Sequence, residues 1–228
     1  MLDTLSIIKT PAAARRLLPA ALWKVRTKDN ILYLTFDDGP IEEVTPKVLA
    51  ELKKYGAKAT FFCIGKNVEA NPALFQRILK EGHTIGNHTQ DHLNGWQTSN
   101  EEYFENIEKC AATINSQMAK VACKQSGHSA VGTDDVSFFR PPYGKLSPLQ
   151  YGHIKKTYKI VMWDVLTFDF DLKLTKEQVF DNVLKNAGPG SIIVFHDSLK
   201  AKEKVLYALP KVLEHYSKMG YKFESLPE

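Results

Sequence analysis

No stretch of this chain stays apolar for the ~20 residues that a membrane-crossing helix needs, so no integral membrane segment is expected. Cysteine is scarce: Cys63, Cys110 and Cys123 are the only three. An odd number without Cys-x-x-Cys spacing argues against a disulfide framework and for reduced thiols, with Cys63 in the core; a Cys110–Cys123 disulfide stays open, but nothing calls for one. There is no basic run interleaved with aromatics and the net charge is only +4, so nucleic acid is not an expected partner. Internal repeats, low-complexity tracts and linkers are missing, which leaves one catalytic-sized unit. The run Leu17 to Trp23 after Arg15-Arg16 is short for a signal sequence and contains Pro19, so no cleaved leader is expected and the expected compartment is the cytoplasm.

What is there is a globular composition of 43% hydrophobic and 25% charged residues over 228 positions, enough for one large α/β domain. Residues 1–30 are expected to drape over that domain as an N-terminal extension, and residues 31–228 to form it. Short buried strands are expected at 32–36, 58–64, 83–87, 137–139, 160–163 and 191–195, with a further extended piece reaching Asp171 and an edge segment at 221–223. Helices are expected at 45–55, with Thr45 as N-cap, and at 72–81, 99–119, 147–158, 175–187 and 202–218, and a long loop at 121–136. This alternation points to a parallel sheet or barrel with helices outside.

The chain is organised around Leu32 to Pro40, a buried strand that stops at the adjacent carboxylates Asp37 and Asp38 before a Gly-Pro turn. Two anions at the end of a buried strand repel each other and lose hydration, so they demand a shared cation, arginine or proton. Partners of the right kind follow other strands: His88, Arg140, Asp169 and His196 each come just past a strand end. In a β/α barrel those ends share one rim, where such folds carry their chemistry. His88 and His92, four apart, with one carboxylate make a His-His-Asp set that leaves a coordination position open. Such a set suits Zn²⁺ and accommodates Co²⁺, Mn²⁺ or Ni²⁺.

The motifs Thr35-Phe36-Asp37-Asp38-Gly39-Pro40, His88-Thr89-Gln90-Asp91-His92 and Arg140-Pro141-Pro142-Tyr143-Gly144, in that order, resemble those of the polysaccharide deacetylases, the NodB homology domain of carbohydrate esterase family four. The resemblance covers nearly all of 31–225 and implies a distorted (β/α) barrel of about seven parallel strands with outer helices. It implies one divalent metal ion held by Asp38, His88 and His92, with Asp37 as general base and Arg140 keeping Asp37 ionised and oriented. The backbone N–H of Tyr143 would help stabilise the oxyanion. His196 would be the general acid that protonates the departing amine, and Asp169 would hydrogen-bond its imidazole and raise its pKa. Pro141, Phe170 and Val194 join Tyr143 as expected substrate contacts. The implied reaction is hydrolysis of N-acetyl groups on N-acetylglucosamine-containing glycans of chitin-oligosaccharide or peptidoglycan type.

Two motifs depart from the family pattern: Phe170 follows Asp169 where Trp is common, and Val194 precedes His196 by two where Leu is usual. Leu166 stands where a further acid is often found. Alternatives are an O-acetyl esterase on acetylated xylan, and a catalytically weak carbohydrate-binding homologue. An amidohydrolase barrel would have His-x-His after its first strand, where this chain has Asp-Asp. Trp163 reads as a core or pocket-wall aromatic, Asp91 as solvated or supporting, Asp197 as a cap for the turn that follows it, and His83, His128, His153 and His215 as incidental.

Overall fold

The computed structural model describes residues 8–126 and 135–227. Its centre is β1 (Ile31–Asp38), buried at six of eight positions. The apolar, β-branched run suits a strand with neighbours on both edges. β2 (Ala59–Cys63), β3 (Thr84–Asn87), β4 (Phe138–Phe139) and β5 (Lys159–Ile160) follow on one side, and β7 (Ile192–His196) and β6 (Val165–Leu166) on the other, in the order β5-β4-β3-β2-β1-β7-β6. Every ladder is parallel. β8 (Lys222–Phe223) pairs parallel with the first residues of β1, Ile31 and Leu32.

This is the expected distorted barrel, and the N-terminal segment completes it. Leu22 bridges Val161 beside β5, Lys24 bridges Ser191 at the foot of β7, and Lys9 bridges Val165 in β6. The segment thereby occupies the gap between the two end strands of the sheet. β1 sorts its side chains by the pleat. Leu32, Leu34 and Phe36 enter the large core beneath the helices with Phe61, Ile193 and Phe195. Tyr33 belongs to a small separate cluster with Phe62, Phe138, Val161, Ile192 and Leu226. Leu226 brings the C-terminal tail into that cluster, its N–H donating to Thr60 Oγ1 at 3.0 Å.

Helices α1 (Ala12–Arg15), α2 (Thr45–Lys54), α3 (Gly65–Ala70), α4 (Pro72–Lys80), α5 (Asn100–Ser126), α6 (Pro148–Ile154), α7 (Lys176–Asn186) and α8 (Lys202–Lys218) fill the connections. α6 and α7 start with capping boxes, Ser147 with Gln150 and Thr175 with Gln178.

Several expectations need correction. Thr45 does not cap α2: Val44 holds that position, and the Thr45 hydroxyl instead donates to Asp197 Oδ2. α3 was not foreseen, being a short helix before the Asn71-Pro72 break. α5 runs on through Ser126, because nothing in 120–126 breaks a helix; the rest of the expected loop, 127–134 with His128, lies outside the described residues. α6 ends at Ile154 rather than Tyr158. Cys110 and Cys123 lie several turns apart on α5, so no disulfide joins them, and Cys63 and Cys110 are buried thiols. No helix among the described residues is long and apolar enough to cross a membrane.

Candidate active site

Pleat alternation would send Asp37 and Asp38 to opposite faces of β1. Asp37 follows Tyr33 and Thr35 to the barrel interior, where Thr35 accepts a hydrogen bond from Arg140 Nη1 at 2.7 Å and Asp37 Oδ1 accepts from the same nitrogen at 2.6 Å. Asp38 has φ 84°. That left-handed backbone turns the second carboxylate to the same rim, where its Oδ1 lies 3.8 Å from His88 Nε2 and 3.4 Å from His92 Nε2. All five positive-φ residues other than glycine among the described residues sit on this rim: Asp38, Thr89, His92, Tyr143 and Phe168. Left-handed backbone at non-glycine positions costs about 1–2 kcal/mol each, and it concentrates where function requires the geometry.

Asp38, His88 and His92 each offer a ligand atom, all within 4.8 Å of one another. Their chemistry fits a divalent cation. Asp38 Oδ1 is buried and has no hydrogen-bond partner, an orphan that a cation would satisfy. His88 Nδ1 donates to the Arg140 carbonyl at 2.8 Å and His92 Nδ1 lies 3.2 Å from the Tyr143 hydroxyl, which leaves both Nε2 atoms facing Asp38. Burial lowers the His88 pKa, and burial together with His88 lowers that of His92 to about 4, so both imidazoles are neutral ligands near pH 7. Burial opposes ionisation of Asp38, but His196, His88 and His92 outweigh it and hold its carboxyl below the usual range.

Arg140 is fully buried and held on every side: Nε donates to the Val161 carbonyl at 3.3 Å, Nη2 to the Met162 carbonyl at 2.9 Å, and the guanidinium lies 4.1 Å from the Phe62 ring centroid. A fixed cation of this kind fixes Asp37 in turn.

On the other flank, β7 pairs with β1 in a register that puts His196 opposite Asp37. Asp169, fully buried, takes two hydrogen bonds from His196, from the backbone N–H at 2.8 Å and from Nδ1 at 2.7 Å. Burial would lower the imidazole pKa, but Asp169, with Asp38 and Asp37 behind it, raises it to about 9. The Phe170 ring stands edge-on to His196 at 4.8 Å. Val194 is buried in β7, Pro141 is buried, and Tyr143 is 59% exposed with φ 60° and ψ 5°. The backbone N–H groups of Gly144 and Lys145 fold back onto Pro141 and Pro142. Trp163 packs beneath Gly144, as a wall residue would.

Sequence reasoning missed Thr35 and misjudged Asp197. Rather than capping its own turn, Asp197 reaches back to the turn after Asp38, accepting from Gly39 N–H at 2.9 Å and from the Thr45 hydroxyl at 2.5 Å. Burial pushes its carboxyl up to about 7. Asp91 accepts from Asn106 at 2.9 Å and pairs with Lys66 at 3.5 Å. The Asp-Gly-Pro turn signal hid the Asp197 clamp, because its partner is 158 residues away. His83 is buried and structural, its Nδ1 accepting from Ala59 N–H at 3.2 Å.

The polysaccharide deacetylase family model matches residues 24–157. A peptidoglycan-N-acetylglucosamine deacetylase of Bacillus cereus is 34% identical over 208 residues, 90% of this chain and 91% of that protein. A second protein of the same description from that organism is 37% identical over 196 residues, 85% of this chain and 66% of its own length. Among solved structures, a peptidoglycan N-acetylglucosamine deacetylase in complex with 4-naphthalen-1-yl-N-oxidanyl-benzamide superposes with a TM-score of 0.80 at 33% identity, over 96% of this chain and 95% of that one.

Proposed function

This chain belongs to the polysaccharide deacetylase family, and from that premise we propose that it hydrolyses N-acetyl groups of N-acetylglucosamine residues in a glycan of peptidoglycan or chitin-oligosaccharide type, with one divalent metal ion, Zn²⁺ by ligand chemistry. The observation that carries the reading is the convergence on one rim of three ligand atoms, a carboxylate on an arginine and an imidazole on a second carboxylate.

Asp38, His88 and His92 would hold the ion, which when bound supplies Lewis-acid polarisation of the acetyl carbonyl and lowers the pKa of water it ligates. Asp37, pinned by Arg140, accepts the proton of the attacking water. The Tyr143 backbone N–H is the donor assigned to the developing oxyanion. His196 gives its Nε2 proton to the amine nitrogen as the C–N bond breaks, while Asp169 keeps Nδ1 occupied. An amine leaves only when protonated, and an imidazole with a pKa of about 9 is protonated at neutral pH. An ester oxygen leaves without that proton far more readily, so a general acid held protonated is a feature that amide cleavage requires and ester cleavage does not. Phe170 supplies an apolar wall beside the imidazole, and Val194 one at the strand below it.

The test is acetate release from chito-oligosaccharides, peptidoglycan fragments and acetylated xylan, with chelator and with Zn²⁺ or Co²⁺ restored. Release from the N-acetyl substrates that chelator abolishes and metal restores is the expected result. Release from xylan alone would replace the reading with an O-acetyl esterase. Silence on the whole panel with metal supplied would overturn it.

A further inference from the structure

Two lysines stand over aromatic rings on opposite flanks of the metal cluster. Beyond His92, whose ring meets Tyr143 at 4.7 Å, Lys145 Nζ lies 5.2 Å from the Trp96 ring centroid. Beyond His196, whose ring meets Phe170 at 4.8 Å, Lys200 Nζ lies 5.7 Å from the Phe170 ring centroid. The first pair belongs to the loops after β3 and β4, the second to the loops after β6 and β7, so the strand order through β1 separates them.

Trp96 is 67% exposed and yet rigidly held. Its indole N–H donates to the Leu146 carbonyl at 3.0 Å, its backbone N–H to Asn94 Oδ1 at 3.1 Å, and the neighbouring Gly95 carbonyl accepts from Gln150 Nε2 at 2.8 Å. A β-carbon on Gly95 would stand 2.6 Å from the Lys145 carbonyl, so this close contact between the two loops leaves room only for glycine. Exposed apolar surface on a fixed ring serves no core; it fits the C–H face of a sugar. Lys200 is exposed, and neither it nor Lys145 has a carboxylate partner among the described residues. The rim carboxylates Glu42 and Glu43 follow β1 and ion-pair with neither lysine.

We infer that these pairs are flanking subsites that stack the sugars on either side of the reacting N-acetylglucosamine and select glycans in which those neighbours carry carboxylates. The inference rests on the deacetylase reading above and narrows its substrate class. A peptide-free chain of alternating N-acetylglucosamine and N-acetylmuramic acid presents a free lactyl carboxylate on both sides of every internal N-acetylglucosamine, whereas a chitin oligosaccharide presents none. The central site reads the acetamido group, and the lysines read what lies next to it.

The experiment compares three substrates with the metal-loaded full chain: a peptide-free N-acetylglucosamine/N-acetylmuramic acid oligomer, the same oligomer with its lactyl carboxylates reduced to alcohols, and a chito-oligosaccharide of equal length. The acidic oligomer is expected to have the lowest KM, with salt raising it toward the other two. Lys145→Gln and Lys200→Gln should each raise that KM about two- to fivefold at constant kcat, the range of an exposed charge contact, without changing KM for the reduced oligomer. Trp96→Ala should raise KM for all three, since stacking does not depend on charge. Equal KM for acidic and reduced oligomers, or lysine variants that shift both alike, would overturn the inference and leave the deacetylase intact. Absence of acetate from all three would instead sink the deacetylase reading itself.

Discussion

Asp197 and Gly39 are joined by a 2.9 Å hydrogen bond from the Gly39 N–H to the Asp197 Oδ1, tying the residue after the His196 imidazole to the residue after the Asp38 carboxylate. A β-carbon at Gly39 would lie 2.0 Å from Asp197 Oδ2, so the contact leaves room only for glycine. Asp197→Ala should lose this bond and the one from Thr45, leaving two buried donors unmet at about 1–3 kcal/mol each. Thermal unfolding should show a lower Tm, and kcat should fall because the Asp38 turn loosens. Asp197→Asn, which keeps an acceptor for Gly39, should lose less; equal losses in both variants would mean the clamp is not what matters.

The proposed general base is testable separately from the ligand set. Asp37→Asn should retain one metal per chain by elemental analysis and lower kcat about 10²- to 10⁴-fold. Loss of the metal with kcat would show that Asp37 and Asp38 have exchanged roles.

The pH dependence of the acid follows from Asp169. A group that must be protonated to act loses activity as pH rises through its pKa, so kcat should fall through about pH 9. His196→Ala should lower kcat by a comparable 10²- to 10⁴-fold while sparing metal binding, and the alkaline limb should disappear from its residual activity. Persistence of that limb in the variant would assign it to another group.

Metal binding should be visible without turnover. Because a cation engages Asp38, His88 and His92 only in the folded chain, Zn²⁺ at a hundred times its Kd should add about 2.7 kcal/mol of stability. The accompanying rise in Tm should vanish in His92→Ala and on chelation. A rise of the same size in His92→Ala would place the ion elsewhere.

His83 sets an acid limit on stability. Burial first, and then Lys58, lower its pKa from 6.5 to about 4, so the folded chain resists a proton that the unfolded chain accepts. Stability from this group is therefore full above pH 6.5 and declines as pH falls toward 4, by roughly 3 kcal/mol if the whole shift is expressed. His83→Gln should flatten Tm against pH across that window; an unchanged slope would remove His83 as the cause.

Most residues of the site were legible because they follow strand ends, and a strand that ends in a charged residue is a local pattern; His92 was legible only by its spacing from His88. Leu32 to Phe36 announces β1, and the carboxylates after it could only be read as a rim feature; His88, Arg140 and His196 follow from the same logic on three other strands. The starts of α6 and α7, at the capping boxes of Ser147 and Thr175, were equally local. The rest depends on pairing across the chain. Asp38 joins Asp37 on one side of β1 only through a left-handed backbone that pleat alternation does not foretell. Thr45 leaves its capping role because Asp197 comes within reach after the β1–β7 register is set. Two-residue strands such as β4 and β6 carry too few side chains to show a period, and they exist because neighbouring strands supply their hydrogen bonds. Trp96 and Lys145 meet only when the loops after β3 and β4 are brought side by side. Hydrophobic period and strand-end chemistry are properties of a few consecutive residues, whereas register, backbone handedness and loop contact are fixed only by packing across more than a hundred.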